Sequence, residues 1–236
     1  MNDLSVVIPY SEDIKDKRRD DLFEFVSNWW LHYLPGCHLI SASGYNKDGS
    51  FNRAKARNNA IKKVKTRYVL IADADTICPP FSIVQSFDYI DSQIPYASWV
   101  LPYAKNSYYN LTKKCTDLIL SKGFQVPLPN EKSLEHEHKL ESWAGLLCMT
   151  ASAFEKVGGY DENFIGWGYE DNAFRLAMDT LWSRHVRINS YCVHLWHEAP
   201  EEERFSQPNI QHNRRLYEKY AAAYGHRLAM QNLKGI

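Results

Sequence analysis

The spacing of apolar positions changes along the chain, and those changes predict its elements. Leu4 to Ile8 is a short apolar run closed by Pro9, suited to a buried strand. Over residues 18–34, Leu22, Phe25, Val26 and Trp29 recur three and four apart, which predicts an amphipathic helix. His38 to Ser41 reads as a second strand. From Asn52 the segment RAKARNNAIKKVK predicts a basic helix with Ala54, Asn58 and Ile61 along one side. Tyr68 to Ala72 reads YVLIA, the near-continuous apolar run of a strand buried on both faces in a parallel sheet. A helix over 82–91 and a strand from Tyr96 to Pro102 follow.

The pattern loosens between Lys105 and Ser142. That stretch holds NSYYN, a short helical piece near Asp117 to Ser121, and the polar run EKSLEHEHKLES, part of which reads as a surface loop with His136 and His138 in solvent. After Trp143 it tightens again. A strand GLLCM, a helix from Ala151 to Val157, a Gly158-Gly159 turn and a helix from Glu170 to Thr180 are predicted, then a strand from Val186 to Trp196 and a closing helix from Asn209 to Met230. Alternating strands and helices argue for an α/β fold with a mostly parallel sheet. No repeat or low-complexity linker divides the chain, so residues 1–236 read as one domain. Ligands in such sheets bind at the carboxyl ends of the strands, so the residues just after YVLIA lie where chemistry is expected.

Composition adds exclusions. Lysine plus arginine balances aspartate plus glutamate at 28 each, so net charge predicts no attraction to nucleic acid or membrane, although it leaves a nucleic-acid acceptor open. The five cysteines are dispersed without a CxxC pair, which argues against a disulfide framework or a thiolate zinc site and for reduced, buried thiols in a cytoplasmic protein. No run approaches the roughly 20 apolar residues that span a bilayer, so no transmembrane segment is expected.

Four motifs carry candidate chemistry. Asp73-Ala74-Asp75 places two carboxylates at a strand end, oxygen ligands suited to the Mg²⁺ or Mn²⁺ that bridges a diphosphate. FNRAKARN opens the basic helix, whose N-terminus favours phosphate, with Arg53 and Arg57 adding forked donors. GGYDENFIGWGYED sets glycines around Trp167 and paired acids, Glu170 and Asp171, at a helix start. HLWHE supplies His194 and His197, which can share one metal only if the strand ends or bends between them.

Together these phrases resemble a known family. FNRAK, the metal-binding DxD, the GWGGEDDD region and a C-terminal histidine element occur in that order in β-1,4-galactosyltransferases, and the GGYDENFIGWGYED stretch is also similar to bacterial family-two glycosyltransferases. The resemblance spans roughly residues 4 to 215 apart from the middle loop. It implies a GT-A fold, Rossmann-like, with a mixed, mostly parallel central sheet flanked by helices. Residues of about 1–104 would form the nucleotide-sugar half and about 105–236 the acceptor and catalytic half.

The resemblance also implies roles. Asp75 would ligate Mn²⁺ or Mg²⁺ with His197, or with His194 as a close second. Asp73 would contact the donor ribose, sugar or metal shell. Phe51 and Arg53 would contact the nucleotide, and Pro9 and Tyr10 would line its base. Trp167 would face donor phosphates and acceptor. Asp171 would be the catalytic base, ionised at an ordinary carboxyl pKa of about 3.9, with Glu170 holding a sugar beside it. The implied activity is inverting transfer of a hexose or N-acetylhexosamine from a UDP-sugar to a hydroxyl on a glycan, polymer or other acceptor. Mobile lids are expected near Lys132–Glu141 and Glu198–Pro208. Two departures bear on specificity: Ser41-Ala42-Ser43-Gly44 supplies no acid after the second strand, and Tyr169, Asn172 and Ala173 replace a glycine and two acids. A nucleotidyltransferase would need a glycine-rich phosphate loop, which VVIPYSEDIKDKRRD does not provide. A non-catalytic carbohydrate-binding protein would have use for the seven tryptophans and fifteen tyrosines, but none for a base beside a metal site.

Overall fold

The computed structural model describes residues 2–11, 16–93, 98–166, 168–198 and 209–236. Trp167, the 199–208 part of the second lid and the 96–97 part of the fourth predicted strand lie outside the described residues. In chain order the elements are β1 (Leu4–Pro9), α1 (Lys17–Tyr33), β2 (His38–Ala42), α2 (Arg53–Ile61), β3 (Tyr68–Ala72), β4 (Thr76–Ile77), α3 (Pro80–Ser92), β5 (Val100–Leu101), β6 (Tyr108–Leu111), α4 (Lys113–Lys122), a 3₁₀ turn (Glu131–Ser133) and β7 (His136–Leu140). They continue with β8 (Leu146–Thr150), α5 (Ala151–Lys156), α6 (Glu170–Leu181), β9 (Val186–Arg187), β10 (Cys192–His194), α7 (Asn209–Ala223) and α8 (Arg227–Lys234).

Among the described residues, a six-stranded sheet runs in the order β2-β1-β3-β8-β5-β9. β1 is parallel to both β2 and β3, β8 runs antiparallel to β3 and β5, and β9 is parallel to β5. β1 and β8 are buried along their whole length, in keeping with mainly apolar strands covered on both faces. Helix starts follow local capping: Asp16 accepts from the amides of Arg18 and Arg19, Asn52 from that of Lys55, and Pro80 opens α3, where no donor is needed. All five cysteines are unpaired and buried. No helix among the described residues is long and apolar enough to cross a membrane.

Three expectations are revised. The polar stretch before Trp143 is not simply a surface loop: β6 and β7 pair antiparallel in a second sheet, ordered β4-β10-β6-β7. Every residue of β7 is exposed at the sheet edge, so HEHKL carries no apolar alternation that would mark it as a strand. The single strand expected over Val186 to Trp196 is two strands in different sheets. The closing helix breaks between α7 and α8, where Gly225 takes a positive φ of 77°. The second sheet packs close to the end of β3: a Cβ on Gly145 would come within 2.7 Å of the Tyr108 ring and 3.0 Å of Thr76.

Candidate active site

The DAD motif follows β3 directly, and its two acids enter different surroundings. β4 begins at Thr76 and pairs antiparallel with β10, in a register that sets His194 opposite Thr76. That register brings the His194 Nε2 to 3.5 Å from Asp75 Oδ2. The strand ends at His194, and the amide of Trp196 then donates to Thr116 Oγ1 at 2.8 Å while Arg18 Nε donates to the Trp196 carbonyl at 3.2 Å. The chain therefore bends, and His197 Nε2 also reaches Asp75 Oδ2, at 3.3 Å. One ligand atom from each of Asp75, His194 and His197 lies within 4.8 Å of the others. The His197 Nδ1 lies 3.1 Å from the Glu198 carbonyl and 3.4 Å from Arg19 Nη2, while its Nε2 faces the Asp75 carboxylate. One carboxylate and two imidazoles so close together form a ligand set that can hold a cation. The residues thus fit a divalent ion, with Thr76 Oγ1 donating to Asp75 Oδ1 at 3.1 Å to steady the carboxylate. Burial would raise the Asp75 carboxyl, but the neighbouring imidazoles hold it well below the usual carboxylate range.

Asp73 stands outside this triad. Arg53 Nη2 binds its Oδ2 at 2.9 Å and Arg57 Nη2 its Oδ1 at 2.8 Å. Arg57 Nη1 continues to Asp171 Oδ1 at 2.7 Å, and Glu170 Oε1 lies 3.6 Å from Arg53 and 3.8 Å from Arg57. Glu170 also accepts from the Gly168 amide at 3.0 Å. Helix α6 is set off by Tyr169, a non-glycine residue at φ 71°, a strained backbone of the kind that concentrates at functional sites. Three carboxylates share two arginines, which leaves one negative charge in excess. Asp171 bears it: burial pushes its carboxyl up to about 7, with Arg57 pulling down and Glu170 and Asp73 pushing further up. The ordinary carboxyl expected from the sequence is thus replaced by one poised near neutrality.

The motifs are stitched together by α2. Asn52 Nδ2 donates to the carbonyls of Glu162 (3.0 Å) and Phe164 (3.1 Å), and Asn58 bonds both the amide and the carbonyl of Tyr160. FNRAKARN therefore grips the GGYDENF loop that leads to Glu170 and Asp171.

Both clusters open on one cleft of about 760 Å³. Its lining includes Pro9, Tyr10, Phe51 and Arg53, the acids Asp73, Asp75, Glu170 and Asp171, both His194 and His197, and Trp143. Tyr10 stacks on Phe23 with ring centroids 3.9 Å apart, and its hydroxyl donates to Asp20. Arg57 is fully buried and does not line the cleft, so the structure gives it a place behind the carboxylates and not at a phosphate. Two lining residues escaped the sequence reading. Arg19 lies with Nη2 3.4 Å from His197 Nδ1, but in the sequence it is one charge within KDKRRDD. Trp143 is held between Arg175 and Arg187, at 4.4 and 4.5 Å from its ring, and those arginines lie on elements far along the chain. Tyr160, inside a motif that was noticed, donates to Asp171 at 3.3 Å.

Comparison with known proteins supports the class of this fold. Residues 131–198 match a family described as the N-terminal domain of galactosyltransferase. No curated protein matches the chain. The structure is similar to the catalytic domain of Drosophila β1,4-galactosyltransferase 7 in complex with xylobiose, with TM-score 0.53 at 15% identity, covering 89% of this chain and 79% of that one. A mutant of that enzyme in complex with manganese, UDP-Gal and xylobiose superposes with TM-score 0.51 at 16% identity over the same shares, 89% and 79%. S. aureus TarS in complex with UDP-GlcNAc superposes with TM-score 0.53 at 12% identity, covering 98% of this chain and 70% of that one. The fold is the GT-A fold of glycosyltransferases.

Proposed function

We propose that the chain is an inverting, divalent-metal-dependent glycosyltransferase that moves a hexose or N-acetylhexosamine from a UDP-sugar to a hydroxyl of a glycan, polymer or other acceptor. One observation carries the reading: the Asp75–His194–His197 triad and the poised carboxyl of Asp171 open on a single cleft. The galactosyltransferase family match over 131–198 and the GT-A fold support it. The UDP-sugar and manganese found in the similar structures make uridine and Mn²⁺ the first choices.

Asp75, His194 and His197 would hold the metal, which when bound supplies positive charge against the departing diphosphate. One carboxylate and two imidazoles form a borderline set that suits Mn²⁺ better than Mg²⁺, which prefers oxygen and dehydrates reluctantly. Pro9, Tyr10 and Phe51 would seat the base, and Arg53, partly open to the cleft, would reach the ribose or phosphate. Asp171 takes the proton from the acceptor hydroxyl as its oxygen bonds to the anomeric carbon and the bond from that carbon to the diphosphate oxygen breaks. Attack from the opposite face inverts the centre. A carboxyl near 7 is half-ionised at neutral pH and can accept that proton, assistance worth about 10²- to 10⁴-fold in rate. Glu170 would hold a sugar hydroxyl beside it.

The test is UDP release from a panel of UDP-sugars with and without Mn²⁺, for wild type and Asp171→Asn. Metal-dependent release from one donor, reduced about 10²- to 10⁴-fold in the variant with UDP affinity kept, is expected. Undiminished turnover in the variant would sink the base assignment.

A further inference from the structure

We propose that Arg57 is a positioning residue that spans Asp73 and Asp171 and holds the proposed base at the floor of the cleft; this rests on the transferase reading above. Its place in the fold excludes the simpler role of a donor contact. The side chain is 1% exposed and absent from the cleft wall, so no phosphate can reach it without displacing a carboxylate. Each Nη is committed to a different acid, Asp73 at 2.8 Å and Asp171 at 2.7 Å. The guanidinium lies over the Tyr160 ring at 4.8 Å, and the hydroxyl of that tyrosine reaches the same Asp171 oxygen. Asn58, the next residue of α2, fixes the Tyr160 backbone from both sides. Position and orientation of Asp171 are therefore set from α2 by two adjacent residues, and Arg57 ties the base to the acid that opens the DAD motif.

The fork is essential to this arrangement. A lysine could supply the charge, but a single ammonium cannot bond two carboxylates in fixed directions as a planar guanidinium does. The Nε of Arg57 is buried with no partner among the described residues, a desolvation cost that a merely packed arginine would be expected to relieve. Charge counting points the same way. Asp171 is faced by Arg57 and Arg53 from α2, by Asp73 from the end of β3, by Glu170 from α6, and by the hydroxyls of Tyr160 and Tyr103. Without Arg57 the cluster would carry two negative charges in excess instead of one, and a proton would settle on it. In the sequence Arg57 lies beyond the FNRAK stretch, so the motif itself does not mark it.

The experiment compares wild type, Arg57→Lys and Arg57→Met, with Asp171→Asn as reference. In Arg57→Lys we expect kcat to fall about 10²-fold, the cost of misplacing a catalytic group by an ångström, while donor KM and the Kd for UDP with Mn²⁺ stay within about threefold. In Arg57→Met the acidic limb of the kcat profile should move up by about one pH unit or more, since a neighbouring arginine depresses a carboxyl by that amount. Should Arg57→Met fail to fold, Arg57→Lys still decides. A readout independent of turnover is the ¹³C carboxyl titration of labelled aspartate, with the Asp171 signal identified by its loss in Asp171→Asn; its midpoint should rise in both Arg57 variants. A wild-type midpoint and kcat in Arg57→Lys would overturn the proposal. So would a kcat loss matched by an equal loss of UDP affinity, which would put Arg57 on the donor. If wild type releases UDP from no donor, the transferase reading fails, and the carboxyl titration still shows whether Arg57 holds Asp171.

Discussion

Asp73 and Asp75 are two residues apart at the end of one strand, yet the neighbourhoods they join differ in kind. Asp75 meets two imidazoles, both at its Oδ2. Asp73 meets two guanidiniums, one on each oxygen, in a nest that also holds Glu170 and Asp171. The first neighbourhood offers three ligand atoms within 4.8 Å of one another. The second is already closed by permanent charge, Arg57 being fully buried there. A DxD motif read as a unit hides this division: one acid joins a pair of imidazoles, while the other joins a buried nest of charge that includes Asp171.

The largest expected effects are therefore crossed. Asp73→Asn weakens two charge-assisted hydrogen bonds while leaving Arg57 on Asp171 and Arg53 beside Glu170, and should cost about 1.5–3 kcal/mol of stability while Mn²⁺ affinity stays within a few-fold. Asp75→Ala should do the reverse, weakening Mn²⁺-dependent UDP binding by at least about 10²-fold with little loss of melting temperature. Calorimetric unfolding and titration of UDP with and without Mn²⁺ measure both. Loss of Mn²⁺ affinity in Asp73→Asn would put Asp73 among the metal ligands and dissolve the contrast.

A smaller difference is expected inside the triad. His197 is buried and its second nitrogen faces the Glu198 carbonyl, whereas His194 is more exposed and rests near the Tyr108 ring. A fixed second nitrogen is worth about 10- to 100-fold in metal affinity, so His197→Ala should weaken Mn²⁺ binding more than His194→Ala. Equal losses would mean that the two imidazoles are held equally well.

What could be read from the sequence follows the same physical line. YVLIA, GLLCM and the α1 stripe are elements whose periodicity is set by burial, and they lie where the pattern put them. HEHKL is a strand held by its partner β6 while every side chain faces water, so no burial signal exists to read. The candidate site divides likewise. Asp75, His194 and His197 were grouped by motif, yet their convergence depends on a bend after β10 fixed by Thr116 and Arg18, neither of which belongs to a motif. Arg57 was noticed for its charge and misplaced in depth, because a helix drawn from sequence gives no measure of how far its face is buried.

The smallest expected effect tests the nest itself. An unfolded aspartate titrates near 3.9, whereas burial holds Asp171 near 7 in the folded chain. Between those values the native state binds a proton that the unfolded state has released, so stability falls as pH rises from about 4 and levels off above about 7. Asp171→Asn removes the charged form and leaves Arg57 paired with Asp73. The variant should therefore melt higher than wild type at pH 8, by roughly 2–4 °C for a gain of about 1 kcal/mol, and the gain should shrink towards pH 4. A lower melting temperature at pH 8 would mean that the Arg57–Asp171 ion pair outweighs the burial of the carboxylate. The acid nest would then be a stabilising network in its own right, and the contrast with the triad would rest on the metal alone.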